Sequence, residues 1–134
     1  MVPDMPLALL LSDDLLDASR IAGHGRAIGL TVKQCCNSPS LLAALDQRPD
    51  CAILDLHNPG LDIGTFILAA RAAGVARIVG YGSHVDATRL KAARQAGCDE
   101  VLPRSAFFDG LDERLLEWGG GRPPSIILLD SVPP

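Results

Sequence analysis

Residues 51–60 read CAILDLHNPG, a short apolar run that ends in an aspartate and a polar Pro-Gly turn. An apolar run of this length that is bounded by turn residues is typical of a buried β-strand. Asp55 therefore stands where a buried strand passes into a loop. A carboxylate at this place can cap the turn or can take part in chemistry, and this stretch by itself is compatible with both.

Apolar runs of the same kind recur along the chain and alternate with segments of helical spacing. In the first of these segments Leu15, Ala18, Ile21, Ala22 and Ile28 fall on one helix face. We expect helices to begin at Ser12 with Asp13, at Ser38 with Pro39, and at Asp62, and to end near Gly29, Gly74 and Gly97. The other runs are LALLLS (7–12), TVKQCC (31–36), RIVGYG (77–82) and DEVL (99–102).

Five strands that alternate with five helical segments predict a parallel sheet with helices on both faces. The runs LALLL and CAIL are continuously apolar and are expected at the centre, whereas TVKQCC carries Lys33 and Gln34 and is expected at an edge. This pattern fits an α/β, flavodoxin-like doubly wound sheet of strand order 2-1-3-4-5.

Composition excludes several classes of function. The chain has 134 residues, a net charge of −4 and 48% hydrophobic residues of which few are aromatic. The negative charge argues against a nucleic-acid partner, since phosphate contacts need clustered Lys and Arg. No apolar stretch reaches the roughly 20 residues of a membrane span, and the N-terminus does not resemble a signal peptide. We therefore expect a cytoplasmic protein with no membrane partner.

The four cysteines are Cys35, Cys36, Cys51 and Cys98, and none forms a C-x-x-C pair. Small buried residues in a reducing compartment are the favoured interpretation, and a redox or metal role is the alternative.

The chain is divided into a main domain at 1–118 and a tail at 119–134. The tail begins with the linker GGGRPP and carries the apolar run Ile126–Leu129. Such a run left in water would favour aggregation. We expect it to dock, as a strand added to a sheet edge or in a groove of a neighbouring subunit, and a disordered tail is the alternative.

The carboxyl ends of the predicted strands place polar residues at one rim of the sheet, where ligands of doubly wound folds bind. Three carboxylates, Asp13, Asp14 and Asp55, converge there with Arg104 opposite. Mg²⁺ is a natural partner for such carboxylates, and an aspartate beside Mg²⁺ can attack phosphorus to form an aspartyl phosphate. The remaining rim residues are Ser12, His57, Asn58, Gly82, Ser83, His84 and Ser105.

Three segments in this order resemble the receiver domain of the two-component response-regulator family, over about residues 5–118. They are SDD (12–14), DLHNPGLD (55–62) and AGCDEVLPRSAF (96–107). The resemblance implies that Asp55 is a phosphoacceptor. It also implies that Asp13, Asp14, Asp55 and the backbone carbonyl of His57 hold Mg²⁺. A histidine kinase or another signalling protein would be the partner, and a homodimer through the fourth and fifth helical segments is expected by family analogy.

The chain departs from the receiver pattern at the residues that read out phosphorylation. The hydroxyl residue that ends strand 4 in receivers aligns with Gly82, and Ser83 is displaced by one position. Arg104 stands where receivers carry a lysine in strand 5, and Val101 stands where they carry an aromatic residue. These changes predict an atypical or pseudo-receiver. Arg104 is expected either to contact an anion or to form a salt bridge that holds Asp55 or Asp13 in a closed pocket.

The sequence thus favours a stand-alone signalling module that is not an enzyme and acts through protein contacts, with Mg²⁺-dependent phosphorylation at Asp55 as one form. A phosphorylation-independent pseudo-receiver and a small-ligand-binding flavodoxin-like domain are the alternatives. A ligand domain would need a phosphate-cradling loop after strand 1, where SDDLLDAS is acidic. A transition-metal site of His57, His84 and Asp55 is chemically conceivable, but the spacing does not single it out.

Overall fold

The apolar runs LALLL and CAILD form the two central strands, β1 (Leu7–Leu11) and β3 (Cys51–Asp55). The computed structural model describes residues 6–118. β2 (Thr31–Cys35), β4 (Arg77–Gly82) and β5 (Glu100–Pro103) complete a parallel sheet of order β2-β1-β3-β4-β5. The predicted flavodoxin-like order is confirmed, and β2 lies at an edge as expected.

Helices cover both faces of this sheet. The predicted fifth helical segment is two helices, because Asp109 has an extended backbone and Gly110 a left-handed one with φ of 70°. A short 3₁₀ turn follows the second helix at Leu45–Gln47. The helices are α1 (Leu15–Ala27), α2 (Ser38–Ala44), α3 (Ile63–Ala72), α4 (Ala87–Ala96), α5 (Arg104–Phe108) and α6 (Leu111–Trp118).

Each face of the sheet has its own hydrophobic core. Residues of α2, α3 and α4, such as Phe66 and Leu90, pack on one face. On the other face, α1, α5 and α6 enclose a stack of rings in which Phe107 lies 4.4 Å from Tyr81 and 5.6 Å from Trp118, measured between centroids. This second core ends at the rim where the polar residues were predicted.

The predicted start of α1 was wrong, since this helix begins at Leu15, after Asp14, whereas α2 begins at Ser38 as predicted, with Asn37 before it as the cap. Asp14 caps α1, since its Oδ1 accepts the N–H groups of Leu16 and Asp17 at 2.9 and 3.1 Å. Asn37 caps α2 by accepting the N–H of Ser40. The reason at α1 is that Ser12 still belongs to the sheet, where its N–H donates to Cys35 O at 3.0 Å. Asp62 caps α3 as predicted.

Leu15 and Cys36 are exposed, contrary to expectation. Leu15 is 74% exposed because it opens α1, and the buried face begins only at Asp17 and Ala18. Cys36 follows the edge strand and faces outward, while Cys35 and Cys51 are buried. All four thiols are free, and burial raises the pKa of Cys51 to about 12.

No helix between residues 6 and 118 combines the length and the apolar character that spanning a membrane requires. The predictions for the tail at 119–134 lie outside the described residues.

Candidate functional site

Three polar side chains lie next to each other on one face of the sheet, at the carboxyl ends of its strands. Asp55 pairs with Tyr81 across β3 and β4, and Ser12 directly follows Leu11, which pairs with Leu54. Partners in adjacent parallel strands project from the same face, about 4.8 Å apart. Ser12, Asp55 and Tyr81 therefore stand side by side above the α1/α5/α6 core. Ser12 and Tyr81 are buried, and Asp55 is partly exposed.

Asp55 opens into a cleft of about 350 Å³. The strand ends of β3, β4 and β5 bring together most of the residues predicted at the rim. The predicted residues that do not line this cleft are Ser12, Asp13, Asp14 and Asn58. Asn58 is buried and donates from Nδ2 to Cys36 O at 3.0 Å, so it ties two loops together. The cleft is lined by Asp55, His57, Tyr81, Gly82, Ser83, His84, Arg104 and Ser105.

Among residues 6–118 the Asp55 carboxylate accepts one hydrogen bond and forms no salt bridge. The His57 N–H donates to Asp55 Oδ1 at 2.9 Å. Burial raises the pKa of Asp55, the hydrogen bond from His57 N–H and the charge of the His57 ring lower it, and the nearby charges of Asp13 and Asp17 raise it. None of the ion pairs formed between residues 6 and 118 includes Asp55. Its position leaves one carboxylate oxygen available for chemistry.

Arg104 is engaged by Asp17. Both terminal nitrogens of its guanidinium donate to the two oxygens of the Asp17 carboxylate. The Asp17 side chain is only 3% exposed, whereas that of Arg104 is 47% exposed. The expected salt bridge to Asp55 or Asp13 was therefore wrong in its partner. Sequence reasoning missed Asp17, although its position four residues before Ile21 places it on the predicted buried face of α1.

The imidazole of His57 occupies the space next to Gly82. Its Nε2 accepts the Ser83 N–H at 2.9 Å, and a Cβ added to Gly82 would lie 3.1 Å from that same nitrogen. The Ser83 hydroxyl accepts the Val85 N–H at 3.3 Å within the turn. The structure thus gives the His57 side chain a role in the β4–α4 connection that the sequence analysis did not predict.

The two neighbouring acidic residues, Asp13 and Asp14, differ in their contacts. Asp14 Oδ1 caps α1, and Asp13 is exposed while its charge still acts on Asp55. Within residues 6–118 no three His, Cys, Asp or Glu side chains form a cluster suited to a metal ion. His57, His84 and Asp55 therefore do not form the transition-metal site considered above. Mg²⁺ needs only one or two carboxylates besides waters and phosphate oxygens. Asp13, Asp55 and a backbone carbonyl fit that donor set.

Tyr81 adds a buried hydroxyl that the sequence did not single out. The residue is 1% exposed, and its hydroxyl makes no hydrogen bond of good geometry among residues 6–118, although the Ser12 hydroxyl lies near enough to lower its pKa. Burial raises the pKa of Tyr81, and the negative charges of Asp55 and Asp17 raise it further. The phenol therefore stays protonated at neutral pH and can act as a donor. Its register beside Asp55 is the signal that could have identified it.

Solved receiver domains share this fold. A response regulator receiver protein from Burkholderia phymatum has 26% identity and a TM-score of 0.68, covering 89% of this chain and 98% of that one. A signal receiver domain from Bermanella marisrubri has 25% identity and a TM-score of 0.71, covering 86% and 98%. No family model and no curated protein matches the sequence.

A third structure is the receiver domain of a sensor histidine kinase from Pseudomonas aeruginosa PAO1. It is described with a magnesium ion coordinated in its active-site cleft. Identity is 21% and the TM-score is 0.72, over 88% of this chain and all of that one. Residues 6–118 form a receiver-like domain, so the predicted resemblance is confirmed at the level of the fold.

Proposed function

We propose that this chain is a receiver-like signal-transduction module in which Asp55 accepts a phosphoryl group in the presence of Mg²⁺. The observation that carries the proposal is the Asp55 carboxylate itself. It stands at the carboxyl end of β3, faces a cleft of about 350 Å³ and is paired with no cation of the described chain. The receiver fold of the solved neighbours supports a signalling role of this kind.

The chemistry is an in-line displacement at phosphorus. An Asp55 carboxylate oxygen forms a bond to phosphorus, the bond between phosphorus and the donor oxygen breaks, and the donor leaves with that electron pair. Bound Mg²⁺ would neutralise charge on the phosphoryl oxygens. Asp13, Asp55 and the His57 carbonyl are the residues that would hold it, and Asp14 would add the oxygen that does not cap α1.

The module acts through contacts with other proteins rather than as an enzyme. A histidine kinase or another signalling protein is the partner that fits an aspartyl phosphate. Self-association through α4 and the helices after β5 belongs to the same proposal.

A second function, phosphorylation-independent signalling, is favoured by one specific observation. Arg104 holds the buried carboxylate of Asp17 with both of its terminal nitrogens. Turning Arg104 toward Asp55 would leave that carboxylate buried and unpaired, and breaking a buried pair costs about 3–5 kcal/mol. An internal ion pair that already holds the cation would keep the domain in one state regardless of the signal.

The experiment is phosphorylation of the full chain with Mg²⁺ and acetyl phosphate, followed by intact-mass measurement. We expect wild type to gain one phosphoryl group and Asp55→Asn to gain none. Asp46→Asn is the matched control, because Asp46 lies exposed in the 3₁₀ turn after α2, away from the cleft. It should gain the group as wild type does.

Two results would decide against Asp55 as phosphoacceptor. One is an unmodified wild type in the presence of Mg²⁺, which would favour the phosphorylation-independent module. The other is a gain of mass that persists in Asp55→Asn, which would place the modification elsewhere.

A further inference from the structure

We propose that the Tyr81 hydroxyl is the hydrogen-bond donor to a phosphoryl group, or a similar anion, held on Asp55. It would replace the strand-4 hydroxyl that receivers carry where this chain has Gly82. This inference rests on the proposed function, because it requires Asp55 to carry the anion.

The sheet places the two side chains next to each other. Asp55 and Tyr81 are paired residues of β3 and β4, so both project from the same face of the sheet. Both also line the cleft. A group attached to the Asp55 carboxylate would therefore extend into the cleft that Tyr81 borders.

Aromatic packing fixes the direction of the Tyr81 ring. Phe107 stacks on it with 4.4 Å between centroids, and Phe108 meets it edge-on at 5.9 Å. Arg104 and Arg20 in turn lie over the Phe108 ring, at 5.0 and 4.1 Å from its centroid. Packing on two sides restricts the ring to one orientation, so little conformational freedom is lost when the hydroxyl donates to an anion.

The Tyr81 hydroxyl makes no hydrogen bond of good geometry within residues 6–118 although the residue is almost wholly buried, and the Ser12 hydroxyl is the polar group beside it. Buried polar groups in native proteins nearly always have partners, and an exception calls for an explanation. The neighbouring charges also leave the hydroxyl as a donor, because the carboxylates of Asp55 and Asp17 disfavour its ionisation. A buried donor beside an anion-bearing carboxylate is suited to bind that anion.

The other groups that could serve are less well placed. Ser12 Oγ donates to Asp14 O at 3.4 Å, and Ser12 does not line the cleft. Ser83 lines the cleft but is only partly buried, and its Oγ accepts the Val85 N–H at 3.3 Å within the turn. Arg104 is held by Asp17. Among the residues that line the cleft, Tyr81 is thus the buried one with a hydroxyl donor.

The test uses beryllium trifluoride with Mg²⁺, a mimic of a phosphoryl group that forms a reversible adduct with carboxylates. Half-saturation would be followed by fluorine NMR on the full chain. Tyr81→Phe removes only the hydroxyl and keeps the ring packing, so we expect about a tenfold weaker adduct from the loss of one hydrogen bond to a charged group.

The matched control is Ser38→Ala, which removes another buried hydroxyl without a partner, on α2 and outside the cleft. Its half-saturation should stay within about twofold of wild type, the range of substitutions away from a site. The melting temperature of uncomplexed Tyr81→Phe should be no lower than that of wild type, which separates loss of the donor from loss of the fold.

Three results would overturn the inference. An unchanged half-saturation in Tyr81→Phe would refute it and leave the proposed function standing. A loss found in Ser83→Ala instead would assign the donor to the displaced serine. If wild type formed no adduct, and Asp55→Asn behaved the same, the proposed function would fail together with the inference.

Discussion

At the scale of single residues, the arrangement of Asp17 and Arg104 separates this cleft from the one expected from the sequence. The carboxylate is 3% exposed and the guanidinium 47%, so the two partners differ in their access to water. This asymmetry decides how the protein responds when one partner is removed. An orphaned Asp17 stays buried, whereas an orphaned Arg104 can turn into solvent.

We predict that Arg104→Met lowers the free energy of unfolding by roughly 3 kcal/mol, the lower end of the range for breaking a buried pair. Asp17→Asn should cost about 1 kcal/mol, because the amide needs less solvation and Arg104 regains water. Urea unfolding of both variants measures the difference. Arg89→Met, which removes the exposed pair with Asp86, is the control and should change stability much less. Equal losses from Arg104→Met and Asp17→Asn would refute the asymmetry.

The unpaired Tyr81 hydroxyl leads to a prediction of opposite sign. A buried hydroxyl without a partner costs about 1–3 kcal/mol, so Tyr81→Phe should raise the free energy of unfolding by about 1 kcal/mol. The ring contact with Phe107 is kept in this variant. Denaturant unfolding without Mg²⁺ is the measurement, and a clear loss of stability would mean that the hydroxyl has a partner in the folded state.

At the scale of elements, the β4–α4 connection shows how a neighbour can explain a glycine. Gly82 ends β4 with no left-handed backbone, so its freedom of conformation is not the reason for its presence. The reason is space, since a Cβ would lie 3.1 Å from His57 Nε2 and 3.3 Å from Leu90 Cδ2. His57 in turn anchors the loop through the Ser83 N–H.

We predict that Gly82→Ser costs about 1–2 kcal/mol, typical of overpacking, and that part of this cost vanishes when His57→Ala is also present. A double-mutant cycle should give a coupling of about 1 kcal/mol, as expected for residues in contact. The Leu90 contact remains in the double variant, so recovery should be incomplete. Additive effects would show that the imidazole does not occupy the space beside Gly82.

The elements themselves were predicted well where periodicity carries the signal. The runs LALLL and CAIL are apolar throughout because both faces of β1 and β3 are covered by helices. Their central position in the sheet could therefore be predicted from the sequence. The helix starts were harder, because Ser12, Asp13 and Asp14 are all good capping residues. Which of them caps depends on where the strand ends, and that is set by the hydrogen bond from the Ser12 N–H to Cys35 O.

At the scale of the whole molecule, the parallel sheet gathers the site from distant parts of the chain. Residues after β3, β4 and β5 line one cleft, as the strand order predicted. The interior of the site could not be predicted from single residues in the same way. Neither Asp17 nor Tyr81 was among the residues predicted at the rim. Their roles depend on which strand and which helix the fold places beside them.

The partial burial of Asp55 predicts how the stability of the protein depends on pH. The pKa of Asp55 is raised by burial above its ordinary value of 3.8. Its contribution to stability is therefore fully present below the unfolded pKa and is lost as pH rises through the folded pKa. Asp55→Asn should thus be more stable than wild type at neutral pH without Mg²⁺. The difference in stability between the two proteins should disappear at acidic pH. Thermal unfolding across pH tests this, and a gap independent of pH would contradict it.

The central claim is that Asp55 carries the phosphoryl group, and locating that group on the chain tests it most directly. After treatment of the full chain with Mg²⁺ and acetyl phosphate, borohydride reduces an aspartyl phosphate to homoserine, which peptide mapping by mass spectrometry can place. We predict conversion at position 55 and at no other aspartate. Conversion at Asp13, Asp14 or Asp17, or no conversion at all, would contradict the account.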